Sequence, residues 1–344
     1  MHLLTSKIPP LNNGAHTFSE AFFSMFAQAD TVNIASGYIS ADSLAELHET
    51  FSRSTEKQIK LNLVLGMHYF EGITRQQFEA AKKLNGILNN RQLGEVSVVR
   101  DFKFHGKLYC FEKEGTPFAA IVGSSNLDNI SKTHTSFETD LLADNSDGDV
   151  LQQVDDFFHK LYPDSTITLP EWSPQSFLPT HSPLEGYADV EKISSAALEA
   201  VQATKTERTF LIPLKPEPKS NLNVFFGKGR TSKNGLVIPR PWYEVELIVS
   251  SQITQQEGYP KGEFEVLTND QWAFRCYTGG DYYKNFRSCK DLQILGRWIK
   301  GQLENGGIIE PGDHITEEAL RKFGKQSLRL TQTTNPDVWY MELV

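Results

Sequence analysis

The feature that most constrains the fold is a change of hydrophobic period near Phe210. Before it, helical and strand spacing alternate, one element after another. After it, short strand-like runs separated by Gly and Pro turns dominate. In the first part, residues 18–29, 40–53, 74–88 and 149–162 carry helical spacing, with Thr17 and Ser40 placed to cap the first two helices. Residues 31–37, 59–65, 96–100, 104–111 and 118–122 read as strands, the last two joined by a short Lys-Glu-Gly-Thr-Pro connection. Such alternation implies a sheet covered by helices, an α/β sandwich. In the second part, strands are expected at 210–214, 222–226, 243–249, 264–268, 272–277, 327–330 and 338–343, and helices at 292–303 and 316–323. That pattern suits a small, mainly β barrel. Between the parts, residues 163–183 are rich in Pro, Ser and Thr and read as a linker or surface strap, followed by a helix over 189–203. The expected division is a first domain over 1–165, a linker and helix over 166–208, and a second domain over 209–344.

Composition narrows the class. A chain of 344 residues is long for one core and suits two. No apolar run approaches the about 18–20 residues of a membrane-spanning helix, and the first residues show no signal-peptide core. Cys110, Cys276 and Cys289 lack CxxC spacing, which disfavours a disulfide framework or a structural zinc site, and a cytoplasmic location is expected. The net charge of −9 disfavours indiscriminate nucleic-acid binding. Its distribution is uneven: residues 1–160 carry 14 basic and 20 acidic side chains, residues 215–300 carry 13 and 9.

Chemistry concentrates in His105-Gly106-Lys107 and Gly123-Ser124-Ser125-Asn126. On a strand, residues i and i+2 share a face, so His105 pairs with Lys107 and Ser124 with Asn126. If the two strands are neighbours, an imidazole, an ammonium, a hydroxyl and a carboxamide converge. One nucleophile and three donors suit a phosphodiester whose non-bridging oxygens gain charge under attack. The set does not resemble the acidic cluster that holds Mg²⁺, so no metal is expected. A His-x-Lys alone recurs by chance in a chain with nine histidines; Gly-Ser-x-Asn one strand later is the rarer half of the pattern. The bland alternative is a surface His and Lys on an edge strand with a Gly-Ser turn.

His-x-Lys followed by Gly-Ser-x-Asn resembles the phospholipase D superfamily. The resemblance implies a histidine nucleophile, His105, that forms a covalent phosphohistidine, with Lys107, Ser124 and Asn126 binding the scissile phosphate. Members often carry an Asp after the Lys; here the region offers Glu112, and the gap to Gly-Ser-x-Asn is longer. The acidic residue that orients the histidine matches Glu138, with Asp140 as the alternative on the same strand face. Because the chain holds a single motif, the resemblance implies a homodimer, one His105 attacking phosphorus and its mate protonating the leaving oxygen, without metal.

Two loops stand out in the second part. Residues 227–235 are dense in basic and small donor groups, with Lys228, Arg230, Ser232, Lys233 and Asn234 as candidate DNA contacts. They lack the GxxxxGK[ST] pattern, so ATP binding by that route is not expected. Residues 279–288 interleave Asp281, Tyr282, Lys284, Asn285 and Arg287, a mix suited to base edges; in the alternative, packed-hairpin reading Tyr283 and Phe286 are core. The bland alternatives are a solvated turn and a packed hairpin. With the segment 239–243 and the helix over 292–303, the loops resemble the plant B-three-type DNA-binding pseudobarrel, whose two arms grip the major groove. A phospholipase D-type domain followed by this fold resembles a group of bacterial restriction endonucleases. That resemblance implies double-stranded DNA as substrate and a cognate methyltransferase. Some members also act with a separate ATP-dependent, helicase-like subunit, which would be the one route for ATP.

Other features read as structural. The carboxylates of residues 144–149 fail calcium-loop spacing and suit helix capping. His134 lacks a partner at ligand spacing, Trp298 and Ile299 suit a core, and Phe22, Phe23 and Phe26 suit a core or a dimer contact. The sequence thus points to a metal-independent, sequence-specific DNA endonuclease. The rivals are a DNA-binding regulator with an inactive nuclease domain and a lipid phosphodiesterase.

Overall fold

A computed structural model describes residues 1–8, 10–11, 16–53, 58–130, 136–231 and 235–344. The chain divides into two units: Met1–Thr180 with Arg230–Pro239, and His181–Gly229 with Arg240–Val344. The first unit begins with β1 (His2–Thr5), α1 (Phe18–Phe26), β2 (Thr31–Ser36), α2 (Ala41–Arg53), β3 (Lys60–Leu65), α3 (His68–Glu71), α4 (Arg75–Arg91) and β4 (Gly94–Val99). It continues with β5 (Lys107–Lys113), β6 (Thr116–Gly123), β7 (Thr139–Asp144), α5 (Gly148–Asp164) and β8 (Thr166–Thr168). The eight strands form one mixed sheet in the order β1-β7-β6-β5-β2-β3-β4-β8.

Local chemistry explains the element boundaries. Thr17 and Thr74 each close a capping box, with Glu20 and Gln77. The helical period of α1 buries Phe18, Phe22, Phe23 and Phe26 against Tyr109 and Phe111 of β5. These phenylalanines therefore form core. The β5–β6 hairpin turns through Glu114 and Gly115, both at positive φ, as a two-residue hairpin turn requires. On the other face of the sheet, α5 covers Ala35, Val64, Leu108, Cys110, Ala120 and Ala143. Asp144 caps the short turn before α5, and its hydrogen bonds to Ser146 hold its carboxyl down at about 2.

In chain order the second unit adds β9 (Val190–Lys192), α6 (Ser195–Ala203) and β10 (Lys205–Pro213). The small hairpin of β11 (Arg230–Thr231) and β12 (Val237–Ile238) belongs to the first unit, where Leu236 and Ile238 pack on its core. The rest is β13 (Leu247–Ile248), α7 (Ser251–Thr254), β14 (Gly262–Thr268), β15 (Trp272–Gly279), β16 (Asn285–Ser288), α8 (Ile294–Asn305), α9 (Glu317–Phe323), β17 (Ser327–Thr333) and β18 (Val338–Leu343). The sheet runs β10-β17-β18-β14-β15-β16-β13, antiparallel except between β14 and β18, with β9 on the free half of β15. It curls into a half-barrel around Trp242, Phe264, Phe286, Trp298 and Trp339. The two units are an α/β sandwich of phospholipase D type and a mainly β pseudobarrel.

Three expectations change. Residues 222–226 hold no strand: Asn223 pairs its side chain with both backbone groups of Ile315, and Val224–Phe226 is a 3-10 turn. Within 243–249 only Leu247–Ile248 is strand, because Glu244 closes a turn onto Pro241. The helix expected over 189–203 begins at Ser195, capped by Ser194, after strand β9.

Candidate active site and nucleic-acid interface

Pairing register gathers the motif. Ser36 faces Lys107, Leu108 faces Val122, and Gly123 faces Asp140, so β2, β5, β6 and β7 deliver their motif residues to one end of the sheet. His105 lies in the extended lead-in to β5 and is exposed; Lys107, the first residue of β5, is buried to 8% exposure. The Lys107 ammonium donates to the His105 carbonyl at 2.8 Å and lies 3.2–3.3 Å from both ring nitrogens. Burial pushes the Lys107 ammonium below its ordinary value, and the negative charge of Glu138 opposes that shift.

The Gly-Ser-Ser-Asn turn is pinned through its third residue. Ser125, fully buried, donates its backbone N–H and its hydroxyl to the Asp140 carboxylate at 2.9 and 2.6 Å, and accepts at its carbonyl from the Tyr109 hydroxyl. Burial raises the Asp140 carboxyl above its ordinary value. Ser124 donates its hydroxyl to the Thr139 carbonyl at 3.2 Å and accepts from the Thr139 N–H at 2.9 Å, so in this state its proton holds β7. Asn126 accepts at Oδ1 from the Tyr38 N–H at 3.2 Å. Glu138, half-buried, enters β7 with its backbone bonded to Ser6 in both directions. Glu112 stands elsewhere: it accepts from Asn33 and lies near Cys110 and Asp155 on the sheet face covered by α5.

That trio is where three metal-type donors converge among the described residues, within 4.8 Å of one another. Burial raises both the Cys110 thiol and the Glu112 carboxyl, which favours their neutral forms. The trio lies on the opposite sheet face from Lys107 and Tyr109.

The candidate DNA contacts fall in two places. Lys228 is an exposed residue of the second unit, and exposed Arg230 opens the β11–β12 hairpin of the first. Ser232, Lys233 and Asn234 lie outside the described residues, as does His134. Asp281, Tyr282 and Tyr283 form a turn between β15 and β16, while Lys284, Asn285 and Arg287 are half-buried. Both tyrosines adopt left-handed backbone, at φ 57° and 55°, a conformation that bulky residues rarely hold. Tyr282 is 62% exposed and Tyr283 39%, so Tyr283 is not core, whereas Phe286 is fully buried. Lys284 lies over Tyr282 (5.4 Å), Lys261 over Tyr283 (5.3 Å) and Arg287 over Tyr277 (5.5 Å). The turn thus presents exposed rings backed by cations, groups that contact bases and phosphates.

The comparisons agree with both halves. The model of the NgoFVII restriction endonuclease N-terminal PLD domain matches residues 17–168, and that of the NgoFVII C-terminal B3-like DNA-binding domain matches residues 200–334. The chain belongs to the NgoFVII restriction endonuclease family. No curated protein matches it. Among solved structures it is similar to NucT from Helicobacter pylori, at 12% identity over 48% of this chain and 99% of that one, with a TM-score of 0.30. It is also similar to a polyphosphate kinase from Porphyromonas gingivalis, at 14% identity over 62% of this chain and 33% of that one, with a TM-score of 0.31. At these TM-scores neither likeness bears on the site.

This restriction endonuclease is a hydrolase that acts on DNA, with a phospholipase D-type domain followed by a B3-like one. No helix among its described residues is long and apolar enough to cross a membrane. Sequence reasoning missed Ser125 as the anchor of the Gly-Ser-x-Asn turn, although it stands inside the motif. It also missed Tyr38, whose ring packs on His105, and His68 and Glu71, which contact Tyr38 in turn; for these the sequence offers no local signal. It missed Lys261 beside Tyr283; this lysine stands just before β14, distant in sequence.

Proposed function

We propose that this endonuclease cuts double-stranded DNA at specific sequences through a covalent phosphohistidine, in a homodimer, without a metal ion. A nitrogen of His105 attacks phosphorus, the bond from phosphorus to the leaving ester oxygen breaks, and the His105 of a second copy gives that oxygen a proton. Water then attacks the phosphohistidine, giving a proton back to the second copy's His105, and the bond from phosphorus to the first His105 nitrogen breaks, leaving a phosphate monoester end and free imidazole. Lys107 and the Asn126 amide supply the positive charge and donors that stabilise the charged transition state. Glu138 orients the imidazole. The single observation that carries the reading is the Lys107 ammonium held against the backbone and ring of His105. These groups provide nucleophile and charge themselves, the work a divalent ion does in carboxylate-lined sites.

The pairing of copies is supported by a row at the same end of the sheet. Leu108, Val122, Leu141 and Leu3 face one another across β5, β6, β7 and β1, and the last three are 41–54% exposed. Such an exposed apolar row is a candidate interface. The B3-like unit would select the sequence through its Tyr282–Arg287 arm and Lys228, with Arg230, on the hairpin of the first unit, as a further DNA contact. In the cell, we place the enzyme in the cytoplasm beside a cognate methyltransferase, with ATP entering only through a helicase-like partner.

The test is incubation of the protein with unmethylated phage DNA in EDTA. Discrete fragments from the wild type and none from His105→Ala, with DNA binding kept, are expected. Cutting that needs a divalent ion, or that survives His105→Ala, would overturn the mechanism. Wild-type protein that binds but never cuts would favour the inactive-nuclease reading, and hydrolysis of phosphatidylcholine the lipid one.

A further inference from the structure

We infer that Tyr38 is a positioning residue for DNA cleavage, locking His105 and Asn126 into one geometry; this rests on the reading of those two residues as catalytic groups. Tyr38 follows β2 and touches both halves of the motif. Its backbone N–H donates to the Asn126 Oδ1 at 3.2 Å. An amide whose oxygen is engaged presents its NH₂ in a defined direction, and that NH₂ is the group a phosphate oxygen can accept from. Its ring packs edge-on against the His105 imidazole, with centroids 5.4 Å apart and planes at 76°. Gly37 allows this approach: a Cβ there would come within 3.2–3.3 Å of the His105 backbone and ring.

The ring is held on its other side. His68 packs edge-on to Tyr38, with centroids 6.0 Å apart. His68 is itself fixed, accepting at Nε2 from the Ile39 N–H at 3.3 Å and donating from Nδ1 to the Gly72 carbonyl at 3.1 Å. Burial lowers its pKa, in keeping with a neutral ring that both donates and accepts. The Tyr38 hydroxyl donates to Glu71 at 2.6 Å, and Lys103, two residues before His105, donates to the same carboxylate at 3.1 Å. Glu71 therefore ties the segment that carries His105 to the ring that packs on it.

A side chain present only for packing would not need this arrangement. Tyr38 is half-buried, and its hydroxyl bond to Glu71 lies at the surface, where its net worth to stability is small. Positioning is a different matter, because small misplacements of catalytic groups cost rate.

The test follows hydrolysis of bis(p-nitrophenyl) phosphate, a diester that needs no recognition sequence, by the full-length wild type and the variants Tyr38→Leu, Tyr38→Phe, Glu71→Gln, Tyr38→Phe/Glu71→Gln and His105→Ala. Tyr38→Leu is expected to lower kcat about 10- to 100-fold, with Tyr38→Phe recovering most of the loss. Tyr38→Phe and Glu71→Gln are each expected to lower kcat a few-fold, and the double variant no further than either, because both break one link. Wild-type kcat in Tyr38→Leu beside an inactive His105→Ala would overturn the role of Tyr38 and leave the histidine mechanism standing. Activity surviving in His105→Ala would overturn the histidine reading itself. Should Tyr38→Leu fail to fold, the Phe and Gln cycle decides: additive losses, or none, sink the proposal.

Discussion

Asp140 takes both the backbone N–H and the hydroxyl of Ser125, at 2.9 and 2.6 Å. Its carboxylate is thereby committed to the turn between β6 and β7, in keeping with the proposal that Glu138 is the acid that acts on His105. The two residues should separate on mutation. Glu138→Gln is expected to lower cleavage about 10²- to 10³-fold with an unchanged melting temperature. Asp140→Ala leaves two donors of a buried serine without their acceptor and should cost about 2–4 kcal/mol of stability. Thermal melts and cleavage rates of both variants check this. The reverse pattern, Asp140→Ala stable but inactive, would return the orienting role to Asp140.

Lys107 supplies a pH dependence with a definite sign. Burial lowers its pKa below the ordinary 10.5, and Glu138 pulls it back up. Cleavage that needs the ammonium must fail on the alkaline side at a pH below that of a free lysine. Removing the opposing charge in Glu138→Gln should move the alkaline limb to lower pH still. A kcat–pH profile from pH 6 to 10.5 reads both limbs. An alkaline limb that stays put in Glu138→Gln, or moves up, contradicts the assignment of Lys107.

The sheet and its helices were legible because α1, α4 and α5 each keep a helical period, and β2, β3 and β5 are short apolar runs buried on both faces. The reading failed where side chains replace backbone pairing, as at Asn223, whose amide mimics a strand partner for Ile315. It failed as well for β1, four residues at the sheet edge, too short to show a period. In the site, His105, Lys107 and the Gly-Ser-x-Asn turn announce themselves by spacing. Tyr38, His68 and Glu71 do not, since Tyr38 follows β2 while His68 and Glu71 begin and end α3, and the two segments meet only after β2 and β3 pair.

Glu112 should make the protein more stable when neutralised. Burial, then the nearby charge of Asp155, raises its carboxyl above the ordinary 4.5. A raised folded-state pKa means the stability linked to the proton is fully present below 4.5 and lost as pH rises through the folded value. Near neutral pH the ionised carboxylate is a cost, which Glu112→Gln removes while keeping an acceptor for Asn33. The variant should melt higher than wild type at pH 7–8, with the gap closing toward pH 4. A lower melting temperature at pH 7 would show that the charge is compensated in place.

The arm of the B3-like unit gives a prediction about DNA alone. Tyr282 is exposed at φ 57° and backed by Lys284. Tyr282→Ala should weaken binding to the recognition sequence by about 1–3 kcal/mol, the usual worth of one contact to a base edge in a duplex groove. Lys284→Ala should weaken specific and non-specific DNA alike and lower the salt slope by about 1. Both should hydrolyse bis(p-nitrophenyl) phosphate at the wild-type rate. Fluorescence anisotropy across a salt series decides; unchanged binding in both variants would remove the arm from the interface.

Glu304 is the acid on which the inner face of the same unit turns. From α8 its two oxygens accept from the Trp242 indole N–H and the Tyr243 hydroxyl, each at 2.8 Å, and all three side chains are buried. One turn earlier, the Lys300 ammonium lies 3.9 Å from the Trp242 ring centre and donates to the Trp242 carbonyl. Glu304→Ala removes two acceptors and one charge from a region that retains a buried ammonium, so the loss should exceed that of one hydrogen bond, about 3–5 kcal/mol. Glu304→Gln keeps one good acceptor and the shape, and should lose less. Urea denaturation followed by tryptophan fluorescence reports directly, because Trp242 and Trp298 lie in this core. Equal midpoints for Glu304→Ala and wild type would mean that the indole and the phenol find other partners and that the acid does not hold the half-barrel together.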